Sequence, residues 1–202
     1  ASPSTPKQGE RLRIFFGALN REQDWAPLMD ALKVAIEALA DRVEVVVVHD
    51  RAFHDALPDA VRREFHDTLP YGRYKEVLST CDVALLPLAD TAFNRHESDL
   101  KLIECCAAGV VPICSRVVYA DDPRHAEIAV FADDATFADA LADLCADPTR
   151  IATLRAKGLA YVAAYRMQAQ QVATLEAFYR SLKANQAELE TQRRKRVAAI
   201  ST

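Results

Sequence analysis

Apolar residues along the chain fall in short blocks separated by polar loops, and the spacing inside each block predicts its element. Arg11 to Phe16 is a short β-type run closed by Gly17 and a polar loop, Ala18 to Asp24, and from Trp25 to Leu39 the apolar positions take helical spacing. Val43 to Val48 is nearly all β-branched, as expected of a strand buried on both faces of a parallel sheet. A short helical stretch follows, then Val61 to Phe65 as an edge or near-edge strand, then a helix from about Tyr71 to Thr80. Asp82 to Pro87 is another buried strand, Val110 to Cys114 the next, and Ile128 to Phe131 a short last one. Helical spacing then takes over, through Asp134 to Ala146, Pro148 to Tyr165 and a long final segment.

The stretch between the strands at 82–87 and 110–114 carries the densest chemistry. Ser98 is a good N-cap, Asp99 suits the positive end of a helix dipole, and Gly109 suits the left-handed residue that closes a helix, so a helix of about ten residues is expected. Leu100, Ile103 and Ala107 would share one face, Lys101 and Glu104 another. A cation and a carboxylate beside unpaired N–H groups suit a ligand with phosphates at one end and hydroxyls at the other.

Strands alternating with helices of this length predict an α/β fold with a doubly wound, mostly parallel sheet of about six strands and a long C-terminal helical segment. The expected division is a linker or disordered terminus at 1–10, an α/β domain at 11–165 and a helical extension at 166–202. In such sheets ligands sit outside the carboxyl ends of the strands. The loops after Phe16, Val48, Phe65 and Pro87 should therefore gather at one crevice. They would bring Gly17, Asn20 and Arg21 there from the first loop, His49 from the second, His66 and Leu69 from the third.

Bulk properties narrow the class. At 202 residues one well-buried core is expected. A net charge of −4 argues against nucleic acid or an anionic membrane as main partner. Five cysteines without CxxC spacing, four of them inside apolar runs, read as reduced core thiols in a cytoplasmic protein. No run approaches the ~20 apolar residues of a membrane span. The first residue is not methionine, so a processed chain or a piece cut from a longer one is expected.

Several chemistries lack their residues. With glycine only at 9, 17, 72, 109 and 158, neither GxGxxG nor a P-loop can be built. His96-Glu97 begins like the zinc motif HExxH, but Leu100 stands where the second histidine would. There is no GxSxG elbow, and the first strand offers no acidic pair of the receiver type. In the final segment Val172, Leu175, Tyr179, Leu182 and Leu189 recur at spacings of three and four, with Gln186 completing the seam, as in a packed terminal helix or a self-associating coiled coil. Arg193 to Arg196 is a basic cluster that reads as a solvated helix end.

Phe16-Gly17, Cys81 to Pro87 and above all Ser98-Asp99-Leu100-Lys101, followed by Glu104, Ala107-Ala108-Gly109-Val110 and Pro112, resemble the C-terminal domain of GT-B glycosyltransferases of the group 1 (family 4) type. The resemblance covers about residues 11 to 182. It implies a Rossmann-like domain that holds a nucleotide-sugar donor and faces an N-terminal acceptor domain on the same or another chain. It also implies transfer with retention and no metal or other cofactor, the nucleoside diphosphate sugar being substrate.

Carried over by position, Glu104 matches a glutamate that bonds the ribose hydroxyls, and Ser98, Asp99 and Leu100 match the helix start that takes the diphosphate or sugar. Gly17 matches the glycine where the backbone approaches the phosphates. Phe65 to Leu69, with His66 and Leu69, match the loop flanking the base. Two positions depart. The first glutamate of the family's pair falls eight residues before Glu104, at His96, with Glu97 next to it: Glu97 contacts the sugar through a one-residue shift, or His96 does, or the contact is lost. The family's Arg and Lys after the first strand are replaced by Ala18 and Asp24, with Arg21 nearby, so Lys101 is expected to supply the missing cation. His96, Glu97 and Lys101 are thus the catalytic candidates. The expectation is a donor-binding half, inactive alone; the alternative is a noncatalytic interaction module that works through its C-terminal helix.

Overall fold

Six strands form one all-parallel sheet in the computed structural model, which describes residues 11–200; the linker expected at 1–10 lies outside them. The elements run β1 (Leu12–Gly17), α1 (Glu22–Trp25), α2 (Met29–Ala38), β2 (Val43–Val48), α3 (Arg51–Ala56), β3 (Arg62–His66), α4 (Tyr71–Leu78) and β4 (Val83–Leu86). They continue with α5 (Leu100–Ala108), β5 (Val111–Cys114), β6 (Val130–Phe131), α6 (Phe137–Ala146), α7 (Pro148–Tyr165), α8 (Gln168–Ala184) and α9 (Gln186–Ile200). Strand order is β3-β2-β1-β4-β5-β6, the doubly wound Rossmann order with its switch between β1 and β4.

Side chains alternate across the strands, and both faces are covered. Ile14, Phe16, Val45, Val47, Val83, Leu85 and Ile113 pack with residues of α2, α3 and α6, whereas Phe15, Val46, Val48, Ala84, Leu86 and Cys114 pack with residues of α4, α5 and α7. That is why the strands read as unbroken apolar runs. All five cysteines are buried and free.

Three local features differ from the sequence reading. The helix expected from Trp25 to Leu39 is broken: a 3-10 turn at Ala26–Leu28, with proline in its first turn, separates α1 from α2. The N-cap of α5 is Asp99, whose carbonyl takes the Ile103 N–H at 3.1 Å, and Ser98 lies one residue outside. The buried face of α5 is Leu102, Ile103, Cys105 and Cys106; Leu100 and Ala107 are exposed. Cys106 packs against Gly158 of α7, where an added Cβ would come within 3.1 Å of the sulfur. Gly109 closes α5 at φ 74°, as expected.

Packing divides the chain after Val162. The second unit contains α8 and α9, neither of which buries a side chain. Among the described residues no helix is long and apolar enough to cross a membrane.

Candidate functional site

Strand β1 ends at Gly17, and this position has no room for a side chain: an added Cβ would lie 2.6 Å from the Phe15 ring and 3.2 Å from Tyr74. The Gly17 carbonyl faces α5 and accepts a hydrogen bond from Lys101 Nζ at 2.9 Å. Around this contact lies a cavity of about 170 Å³ at the carboxyl ends of β1 and β4. Gly17, Arg21, Glu97, Ser98, Leu100 and Lys101 line it, with apolar walls from Phe16, Leu88 and Tyr119. Six residues singled out in the sequence thus meet at one place.

Lys101 is largely covered, and burial, with the nearby Arg21 charge, pulls its ammonium below the ordinary lysine value of 10.5. Arg21 reaches the same cavity but is committed to carboxylates. It pairs with Glu97, donates to Asn94 Oδ1 at 2.7 Å and lies 3.4 Å from Asp24 Oδ2. Asp24 and Asn94 are 6% and 3% exposed. Asp24 Oδ1 accepts from Asn94 Nδ2 at 2.6 Å and from the Ala89 N–H at 2.9 Å, tying α1 to the segment after β4. In the sequence Asp24 stood out only as the end of a polar loop and as a departure from the family's cation at that place, and its positioning role was not legible there.

The other donor-site candidates occupy a neighbouring, more open face. Glu104 Oε1 accepts from Tyr71 Oη at 2.6 Å, and Tyr71 lies parallel to Tyr74, which lies parallel to His49 with ring centroids 6.4 and 6.2 Å apart. His49 adopts a left-handed φ of 75° and donates its backbone N–H to the His66 carbonyl at 3.0 Å. His66 Nε2 sits 2.7 Å from Glu64 Oε1, and Leu69 packs on the buried layer beside α4. Tyr74, against Gly17, links this face to the cavity. No spacing rule pointed to Tyr71 or Tyr74, because their stacking depends on where the loop after β3 sets α4.

Not every candidate reaches the cavity. His96, on a 3-10 turn at Asn94–His96, is exposed and does not line it, whereas Glu97 does. Asn20, at φ 56°, is exposed and borders a separate open groove with Leu19 and Phe93. Asp99 lies 3.6 Å from Nε2 of His125, a buried imidazole that no motif flagged; its Nδ1 sits 2.8 Å from the Tyr119 carbonyl. Through Tyr119, this contact connects the α5 start to the cavity wall.

Chemically the cavity combines a cation with a helix start. The N–H groups of Leu100, Lys101 and Leu102 have no helical carbonyl behind them, and the dipole adds partial positive charge at that end. The arrangement favours an anion, phosphate above all.

The glycosyl transferase-like family profile matches residues 26–177. Among solved structures the chain resembles sucrose-phosphate synthase from Thermosynechococcus elongatus, with TM-score 0.63 and 19% identity over 87% of this chain and 46% of that one. It also resembles WaaG, a glycosyltransferase involved in lipopolysaccharide biosynthesis, with TM-score 0.61 and 17% identity over 78% of this chain and 44% of that one. The C-terminal domain of LpcC, a group 1 family glycosyl transferase from Francisella tularensis, matches with TM-score 0.60 and 15% identity over 79% of this chain and 88% of that domain. The chain therefore spans less than half the length of the first two proteins and nearly all of the isolated domain. At these identities the likeness establishes the fold. Sequence comparison with curated proteins gives no match.

Proposed function

The chain belongs to the glycosyl transferase-like family, with the fold of a GT-B C-terminal domain, and we propose that it is the donor-binding half of a retaining glycosyltransferase that moves a sugar from a nucleoside diphosphate sugar to an acceptor. The observation that carries this reading is the meeting of Lys101, Arg21 and the α5 start around Gly17 in one cavity. A diphosphate placed there takes hydrogen bonds from the first-turn N–H groups and charge from Lys101, and the same groups offset the negative charge that builds on the leaving diphosphate during transfer. In this reading they do so without a metal.

The cavity, at about 170 Å³, is smaller than a site for a whole ligand of this size, which takes roughly 300–1,000 Å³. It fits the diphosphate and part of the sugar, and the nucleoside then extends over the neighbouring face. There Glu104 exchanges its Tyr71 partner for ribose hydroxyls, and the loop holding His66 and Leu69 flanks the base. Between the two candidates for the sugar contact, the reading assigns Glu97, because it lines the cavity and His96 lies outside. Glu97 must then loosen its pairing with Arg21, which frees Arg21 for phosphate. An acceptor domain, on the same or another chain, completes the cleft, so this chain alone is expected to be inactive.

Titration calorimetry of UDP, GDP and their sugars against the chain tests the reading. Saturable heat from at least one nucleotide is expected, and silence from the whole panel at millimolar ligand would remove it. A noncatalytic module is the second reading. The occupied states of Glu97 and Glu104 favour it, and the same silence would support it.

A further inference from the structure

Asp99 is the N-cap of α5, and a carboxylate at that position ordinarily turns over the helix start and accepts from the N–H of the second or third residue. Here the side chain forms no such bond. Its Oδ2 lies instead 3.6 Å from Nε2 of His125, a side chain only 1% exposed. The N–H groups of Lys101 and Leu102, which an ordinary cap would cover, are thereby left to the cavity that Leu100 and Lys101 line.

The surroundings of His125 suit it to hold that carboxylate. Its Nδ1 donates to the Tyr119 carbonyl at 2.8 Å, since a carbonyl can only accept. Around Nε2 stand the Tyr161 hydroxyl at 3.1 Å, Asp99 Oδ2 at 3.6 Å and Asp122 Oδ2 at 3.9 Å. Tyr161 donates its own O–H to Asp122 at 2.9 Å, and Arg124 holds the same carboxylate oxygen at 2.7 Å. Both ring nitrogens therefore face accepting oxygens, and Asp99 is the nearer of the two carboxylates beside Nε2.

We propose that His125 is a positioning residue that holds the Asp99 carboxylate off the start of α5 and so keeps that helix end open for an anion. The identity of the anion, a diphosphate, rests on the donor-site reading; the contact itself does not. Without the imidazole, Asp99 falls back on its own first turn as an ordinary cap. It then occupies the N–H groups that a phosphate needs.

His125→Asn tests this, because the amide nitrogen takes the place of Nδ1 on the Tyr119 carbonyl while the shorter side chain ends before Nε2. In the ligand-free 202-residue chain, amide hydrogen exchange at Lys101 and Leu102, followed by NMR, should slow about fivefold, the worth of a typical cap. Adding Asp99→Ala should return it to the wild-type rate. Unchanged exchange in the single variant, or slowing that survives in the double, overturns the proposal. Asp99→Ala alone, at a partly exposed position that needs no change in the core, should leave exchange as fast as in wild type. A speed-up there would show the carboxylate already covering these groups, and would overturn the proposal as well. Calorimetry with the tightest-binding nucleotide of the UDP and GDP panel then reads the consequence: affinity should fall about fivefold in His125→Asn and recover in the double variant. Slowed exchange with unchanged affinity would overturn the link to the anion site. Exchange that behaves as expected in a chain that binds no nucleotide would remove the donor-site reading and leave the role of His125 standing.

Discussion

At the amino edge of the sheet Arg13 sits between Glu44 at 3.0 Å and Glu64 at 2.7 Å, and Arg155 of α7 holds Asp82 at 2.7 Å and the Gly109 carbonyl at 2.7 Å. At the carboxyl edge Lys101 is comparably enclosed, yet its hydrogen bond goes to a neutral carbonyl and, among the described residues, no carboxylate lies within ion-pair distance. At the first edge these charges face their opposites, which ties β1 to β2 and β3 and α7 to the segment before β4. The second carries a desolvated cation at a helix N-terminus beside an opening. Within one sheet, buried charge is structural where it is neutralised and available for a ligand where it is not.

Removing one cation from each edge separates these roles. Arg155→Met should destabilise the fold by about 3–5 kcal/mol, because Asp82 stays enclosed without its counter-charge. Urea unfolding measures this, and nucleotide affinity of the folded fraction should not change. Lys101→Met should do the reverse. It removes a cation whose burial opposes its charge, so stability should hold or rise, while nucleoside diphosphate affinity falls by about 1.5–3 kcal/mol, the range for a hydrogen bond to a charged group. If both variants lost stability and neither lost affinity, the contrast between the edges would fail.

How much of this was visible in the sequence follows the same division. The β-branched run at Val43 to Val48, the apolar 83–86 segment and Gly109 act through their own backbone, so their strands and helix end could be read locally. Gly17 and Lys101 were legible as candidates, although not their mutual hydrogen bond across 84 positions. Asp24 with Asn94, Tyr71 with Glu104 and Asp99 with His125 meet only after the sheet closes, and spacing rules do not reach that far. That Glu97 and not His96 lines the cavity follows from where the 3-10 turn at Asn94–His96 ends, a boundary no propensity places to one residue.

A smaller effect tests the open face beside the cavity. Glu104→Ala should weaken nucleotide binding by about 1–3 kcal/mol if its carboxylate takes ribose hydroxyls. Stability should change little, since the Tyr71 contact it loses is exposed. A deoxyribose diphosphate should then bind wild type and variant more nearly alike. Equal losses for both sugars would place the contribution of Glu104 elsewhere than on a ribose hydroxyl.

The pH dependence of the two edges should fall in opposite ranges. Burial pulls the Glu64 carboxyl upward, but the hydrogen bond and charge of Arg13, together with those of His66, outweigh it and leave the carboxyl below the ordinary 4.5. Its contribution to stability is therefore complete above 4.5 and is lost as acid carries the pH down through the lowered value. Lys101 acts at the alkaline end. A bound diphosphate favours the ammonium and raises its pKa relative to the free site, where burial and Arg21 hold it below 10.5. Between the free and bound values binding takes up a proton, so affinity should fall as pH rises through that window, by at most about tenfold per pH unit. Calorimetry in two buffers of different ionisation enthalpy measures the uptake directly. Lys101→Met should abolish both the uptake and the slope while leaving the acid limb of stability in place; a slope that survives the substitution would assign the titration to another group.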